Sequence, residues 1–198
     1  ISFFPVEDLI ASELIASSNT YRLDRIKTLF KLLKNIPQIV ITTPEGLTRN
    51  IVNKDKLKRS VINLKVNDIY NRDQLIKHLI SRGYQKVSIV DVPGTFSVRG
   101  SIIDIFAINN EEPIRIDFFD DEIESVRKFD VSTQRSIASL KETYIYPFYD
   151  VLYDEEEKEL IKIRLIENLG LNQKTLNICD QIDNYKNLDQ LYLYIPFI

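Results

Sequence analysis

Histidine, cysteine and glycine are scarce in this chain, and each scarcity closes off a kind of chemistry. The 198 residues include one histidine, His78, so neither a histidine-based catalytic triad nor a histidine metal pair can form within them. The single cysteine, Cys179, excludes an internal disulfide framework and suits a reducing cytoplasm. The ordinary role for such a side chain is that of a small buried apolar residue. The five glycines never fall into the G-x-x-x-x-G-K-[ST] spacing of a phosphate-binding loop. No apolar run approaches the ~18 residues that cross a bilayer, and no secretory signal pattern is visible. A formal net charge of −3 denies the chain the general polycation of a main nucleic-acid clamp. What is present, 44% hydrophobic residues, is enough for one or two domains with real cores. The chain begins at Ile1 and stops inside an apolar run, Pro196-Phe197-Ile198, and is expected to be a piece of a longer protein.

The most informative stretch runs from Pro93 to Arg135. Pro93-Gly94 is a turn signal. Residues 95–107 read as one strand, with Phe96 and Val98 on one face and Ser97 and Arg99 on the other. The buried parity then changes, since Ile103 and Ile105 are odd-numbered. A bulge at Gly100-Ser101 accommodates that slip and re-aims Arg99. Ile114, Ile116 and Phe118 alternate with Arg115, Asp117 and Phe119. Asp120-Asp121 is a two-residue hairpin loop, and 122–129 a third strand. Upstream, Asn71 and Gln74 form a capping pattern, Leu75, Ile76, Leu79 and Ile80 share a helical face, and Gly83 marks the stop, which predicts a helix over 71–83. Lys86 to Val92 reads as a further strand. Together these residues, about 67–147, are expected to form one α+β antiparallel unit.

On either side of that unit the pattern is α/β. A strand ends at Pro5, Asp8–Ser18 is a loop or short helix, and a basic helix runs from Thr20 to Leu33. Gln38–Thr42 has the continuous apolar run of a doubly covered parallel strand. Thr43 caps a turn with Pro44 at its first position. This is the start of a doubly wound layer. Lys54–Arg59 (KDKLKR) is a basic run that suits a solvated face, or alternatively a nucleic-acid patch. An acidic helix opens at Asp154–Glu159, carries the stripe Leu160, Ile163, Ile166 and Leu169, and stops at Gly170. A second helix is read over 175–188 and a strand over 191–197.

The run Gly83-Tyr84 through Pro93-Gly94, then Phe96-Ser97-Val98-Arg99-Gly100, Asp104-Ile105-Phe106, Phe119-Asp120-Asp121-Glu122-Ile123-Glu124 and Gln134-Arg135-Ser136, resembles the second domain of the bacterial transcription-repair coupling factor (Mfd) family. That domain also occurs in the excision nuclease subunit UvrB. Phe3-Phe4-Pro5, the basic helix and Ile39-Val40-Ile41-Thr42-Thr43-Pro44 resemble the first domain of the same family, which imitates the RecA-like ATP-binding core of UvrB without its phosphate loop. The resemblance implies residues 1–66 as the first part of a UvrB-like α/β domain with a partial parallel sheet, 67–147 as an inserted α+β antiparallel domain, and 148–198 as the return to the first. A fragment of UvrB itself is the alternative parent, and a stand-alone adaptor binding through a sheet edge is a third reading.

What the resemblance implies about function is recruitment without catalysis. In the family the second domain binds UvrA. RNA polymerase, DNA, ATP and magnesium belong to other parts of the parent translocase, which is a bacterial cytoplasmic protein. No cofactor, metal, catalytic residue or membrane contact is expected within this chain. Carried over by motif, Arg99 is the UvrA contact and Phe96 a second on the same hairpin. Arg82, Lys86 and Arg115 are added partly because interfaces favour arginine and aromatics. Ser97 stands where UvrB often carries another arginine. Asp104 and Asp117 are placed to pair with Arg99 and Arg115 and fix their poses. Asp120, Asp121, Glu122 and Glu124 are chemically able to hold a hard cation, though a solvated hairpin tip is the plainer reading.

Overall fold

Residues 1–6 and 15–185 are described by the computed structural model. They fall into two units, Ile1–Lys58 with Tyr149–Ile198, and Arg59–Phe148. In the first, β1 (Ser2–Phe4) lies parallel to β2 (Val40–Thr42), with Phe3 opposite Ile41. Between them runs α1 (Ile15–Leu33), which buries Ile26, Leu29 and Phe30 along one stripe. Arg25, on the same helix, is also buried. Its Nε donates to Asp150 Oδ2 at 2.8 Å, and Arg49 Nη2 reaches the same oxygen at 3.5 Å. The expectation of a doubly covered β2 is corrected: Ile39, Val40 and Ile41 are all exposed, and no layer among the described residues covers them. In α2 (Pro44–Thr48), Thr43 is the N-cap and accepts from the Gly46 amide at 3.3 Å. The basic run forms α3 (Lys54–Arg59), which buries Leu57 and pairs Lys56 with Glu157 at 2.7 Å.

The second unit begins with β3 (Ile62–Lys65) and α4 (Arg72–Ser81). Asn71 caps α4 by accepting from the Gln74 amide at 3.0 Å, and Gly83, with φ of 89°, follows its end. Leu75 and Leu79 form its buried stripe. The sheet then runs β4 (Gln85–Lys86), β5 (Thr95–Arg99), β6 (Ile102–Phe106), β7 (Ile114–Phe119), β8 (Glu122–Phe129) and β9 (Ser136–Leu140), in that spatial order. Only the β4–β5 pairing is parallel. β10 (Glu142–Ile145) returns to pair with β3, Ile145 opposite Ile62, so β3 belongs to this unit rather than to residues 1–66.

Two further expectations change here. Gly100-Ser101 is a chain reversal: Arg99 pairs with Ile102, and Gly100 has φ of 60°. A glycine-first two-residue loop matches the right-handed strand twist and corrects the parity by turning the chain around, where a bulge would have kept it in one strand. The expected strand 86–92 is cut to Gln85–Lys86. The residues after it fold over one end of the sheet and bury Val90 with Phe106 and Phe129. At Gly94, with φ of +86°, an added Cβ would lie 2.2 Å from the Phe148 ring, so only glycine fits.

The first unit closes with α5 (Glu155–Leu169) and α6 (Gln173–Asp183). Asp154 and Glu157 make a reciprocal capping box. α5 carries apolar side chains on two faces, and packing selects the face other than the expected one. Ile161 and Leu165 are buried against Ile178, Ile182, Val151 and Tyr153, whereas Leu160, Ile163 and Leu169 are exposed. Lys158 is tolerated on the buried face because its Nζ meets Glu155 at 2.9 Å and lies 4.4 Å from the Tyr185 ring centroid. Residues 8–14 of the segment expected as a loop or short helix, the end of the 175–188 helix and the 191–197 strand lie outside the described residues.

A candidate protein-docking face

Cross-strand register sorts the sheet into two faces. Val98, Ile103, Ile116 and Val126 stand in one row and make the apolar face. Ser97, Asp104, Arg115 and Arg127 make a neighbouring row on the opposite face. Asp104 sits at its centre with a side chain only 1% exposed. Arg115 grips it in a two-point fork, Nε to Oδ1 at 2.7 Å and Nη2 to Oδ2 at 2.9 Å. Arg99 Nη2 donates to the same Oδ2. Arg115 is held further by Gln134 O at 3.2 Å and by the Phe129 ring 4.7 Å below it. The hydrogen bond to Asp104 raises the Arg115 pKa. Asp117 pairs with Arg127 rather than with either of them, and accepts from Ser125 Oγ at 3.0 Å.

The two arginines differ in what they leave to solvent. The Arg115 side chain is 14% exposed, and that of Arg99 is 50% exposed. Among the described residues Arg99 uses one nitrogen on Asp104, so the rest of its donors face outward in a fixed pose. Within this paired cluster three guanidiniums meet two carboxylates, which leaves Arg99 able to take a carboxylate from a partner.

The other named residues do not join Arg99. Phe96 is fully buried on the apolar face, so its assignment as a surface contact is corrected: alternation places it inward, against the core. Arg82 ends α4, donating to Ser60 O at 3.2 Å and Ser81 Oγ at 2.7 Å. The other end of that helix lies at the β5–β6 turn, where Arg72 bonds Gly100 O, roughly 15 Å away along the axis. Lys86 is exposed on the edge strand, in register with Phe96 and so on the opposite face from Arg99. On this face of the sheet an aromatic that does reach solvent is Phe119, 70% exposed. It shares the face of Arg115 and Asp117 by the alternation of β7. Its odd-numbered place in Arg115-Asp117-Phe119 was the available signal.

Asp121 bonds Asn71 Nδ2 at 3.1 Å and Asp120 makes the turn with φ of 53°. Among the described residues no group of His, Cys, Asp and Glu is placed to hold a metal ion. His78 Nδ1 lies 2.8 Å from the Tyr70 hydroxyl; burial, then Arg82, lowers its pKa. Among the described residues no helix is long and apolar enough to cross a membrane.

A family profile described as the UvrB interaction domain matches residues 62–150, the span that contains this face. The transcription-repair-coupling factor of Bacillus subtilis strain 168 is 32% identical over 176 residues, which is 89% of this chain and 15% of that protein. Those of two Staphylococcus aureus strains are each 36% identical over 153 residues, 77% of this chain and 13% of theirs. The chain thus spans a small part of the curated relatives it matches. A UvrB interaction domain thus carries the charged face, and over most of its length the chain is similar to transcription-repair-coupling factors.

Proposed function

We propose that the chain is a non-catalytic recruitment module that docks UvrA through the face formed by β5, β6 and β7. The observation that carries this reading is the Asp104 anchor: it fixes Arg99 half-exposed, on the same face of the sheet as the exposed Phe119. Arginine and aromatic side chains held rigidly are the groups that carry most binding energy at protein interfaces, because little rotamer entropy remains to be lost. Arg99 supplies a guanidinium for an acidic partner residue, Arg115 supports its geometry, and Phe119 fills an apolar pocket on the partner. Arg82 and Lys86 lie apart from this patch and contribute little to docking; Phe96 supports the hairpin from the core.

The longer protein, on this reading, is an ATP-dependent DNA translocase of the bacterial cytoplasm that displaces stalled RNA polymerase at lesions and hands the site to UvrA for nucleotide excision repair. ATP, magnesium, DNA and polymerase would be bound by its other parts. The test is equilibrium binding of purified UvrA to this chain. Arg99→Ala and Phe119→Ala should each weaken the complex by about 2 kcal/mol, roughly 30-fold, with the melting temperature nearly unchanged. Wild-type affinity in both variants would overturn the reading.

A further inference from the structure

Beyond Phe119 the sheet is extended by a short segment with no expected role. Asn67 N donates to Ile123 O at 2.9 Å, Ile123 N to Asp68 O at 3.0 Å and Tyr70 N to Asp121 O at 2.7 Å, which clamps residues 67–70 along the start of β8. Ile69 then stands opposite Glu122, and Glu122 stands opposite Phe119. Cross-strand partners share a face. Phe119, Glu122 and Ile69 therefore form one row, on the face that carries Arg115 and Asp117.

The row has no explanation in the fold. Ile69 is 74% exposed and Phe119 70% exposed, although the bonds on both sides of Ile69 hold its backbone rigidly. Glu122 is exposed, and among the described residues its carboxylate bonds to nothing. Adjacent strands are about 4.8 Å apart, so the two apolar side chains stand roughly 10 Å from each other with the acid between them. That is an apolar slot with a negative floor. It fits a long cationic side chain: the methylenes of a lysine or arginine pack between Ile69 and Phe119, the head reaches Glu122, and the Phe119 ring adds a cation–π contact.

We propose that the Phe119–Glu122–Ile69 row is a second subsite of the docking face, and that it receives one basic side chain of the partner while Arg99 receives an acidic one. This rests on the docking reading above and deepens it. Two subsites of opposite sign fix the register of the partner and reject a surface with the charges exchanged.

The experiment is equilibrium binding of UvrA to the full chain, with melting temperature measured alongside. Glu122→Lys should weaken binding at least 10-fold, and Glu122→Gln and Ile69→Ser each about 5-fold. Glu111→Lys, the same charge reversal in the 109–112 loop, should change it less than 2-fold. Wild-type affinity in Glu122→Gln and Ile69→Ser, with Arg99→Ala and Phe119→Ala still defective, would sink the subsite and leave the docking reading standing. Should Glu122→Lys prove unstable, Glu122→Gln carries the test. If the unmodified chain fails to bind UvrA at all, both the docking reading and the subsite fall.

Discussion

Replacing Asp104 with asparagine is the sharpest test of how the charged face is built. The carboxylate is 1% exposed and pairs with two guanidiniums, of which Arg115 is 14% and Arg99 50% exposed. Asparagine keeps the size and one acceptor but removes the charge, so Arg115 becomes a largely buried cation without its counter-ion. Breaking a buried pair in this way costs about 3 kcal/mol. The Arg99 share is discounted for solvent screening to about 0.5 kcal/mol or less. Urea unfolding at pH 7, followed by far-UV circular dichroism, converts the midpoint shift to free energy through the slope. For a unit of this size the melting temperature should fall on the order of 10–20 °C. Arg99→Ala should cost under about 1 kcal/mol in the same assay. A loss below about 1 kcal/mol for Asp104→Asn, or an equal loss for Arg99→Ala, would refute the claim that Arg115 is a buried support and Arg99 a surface donor.

Three more outcomes are expected. The lone histidine gives one clean NMR titration: burial and Arg82 depress His78, so its midpoint should lie below 6.5, and a midpoint at or above 6.5 would contradict the packing against Tyr70. Burial pushes the Asp150 carboxyl up, but Arg25 and Arg49 outweigh it and hold the folded pKa below the ordinary 3.8. The stability this group contributes is therefore present above that value and lost as pH falls through the folded pKa. The slope of stability against pH below about 4 should flatten in Asp150→Asn, and an unchanged slope would contradict the arginine pairing. Gly94→Ala should destabilise far more than Gly100→Ala, because a Cβ at 94 meets the Phe148 ring at 2.2 Å while at 100 it meets nothing within 4 Å. Only the positive φ, about 1 kcal/mol, opposes alanine at 100, and equal losses in a thermal melt would count against the turn geometry.

What could be read from the residues was local. The caps at Thr43 and Asn71 depend on side chains bonding amides three residues away, the stop at Gly170 on a positive φ, and the helix expected to open in the acidic run Asp154–Glu159 on its own first turn; all of them form. The alternation that puts Phe96 and Arg99 on opposite faces of β5 also holds. The reversal at Gly100-Ser101 was half legible: the parity slip is in the sequence, but a bulge and a two-residue turn both produce it, and only the glycine-serine pair favours the turn. The buried stripe of α5 was not legible, because Leu160 and Ile163 are as apolar as Ile161 and Leu165, and α6 decides between them. Nor was the β3–β10 pairing, whose partners are far apart in the chain. Phe96 is expected at the surface by its place on the Arg99 hairpin motif, whereas its own strand phase already places it inside.

The central claim, that Arg99 and Phe119 meet UvrA directly, is tested most directly by photocross-linking. With Phe119 replaced by p-benzoylphenylalanine, irradiation in the presence of UvrA should give a single cross-linked species, and its yield should drop when Arg99→Ala is added. Cross-linking from exposed Ile137 instead, with none from position 119, would contradict the account.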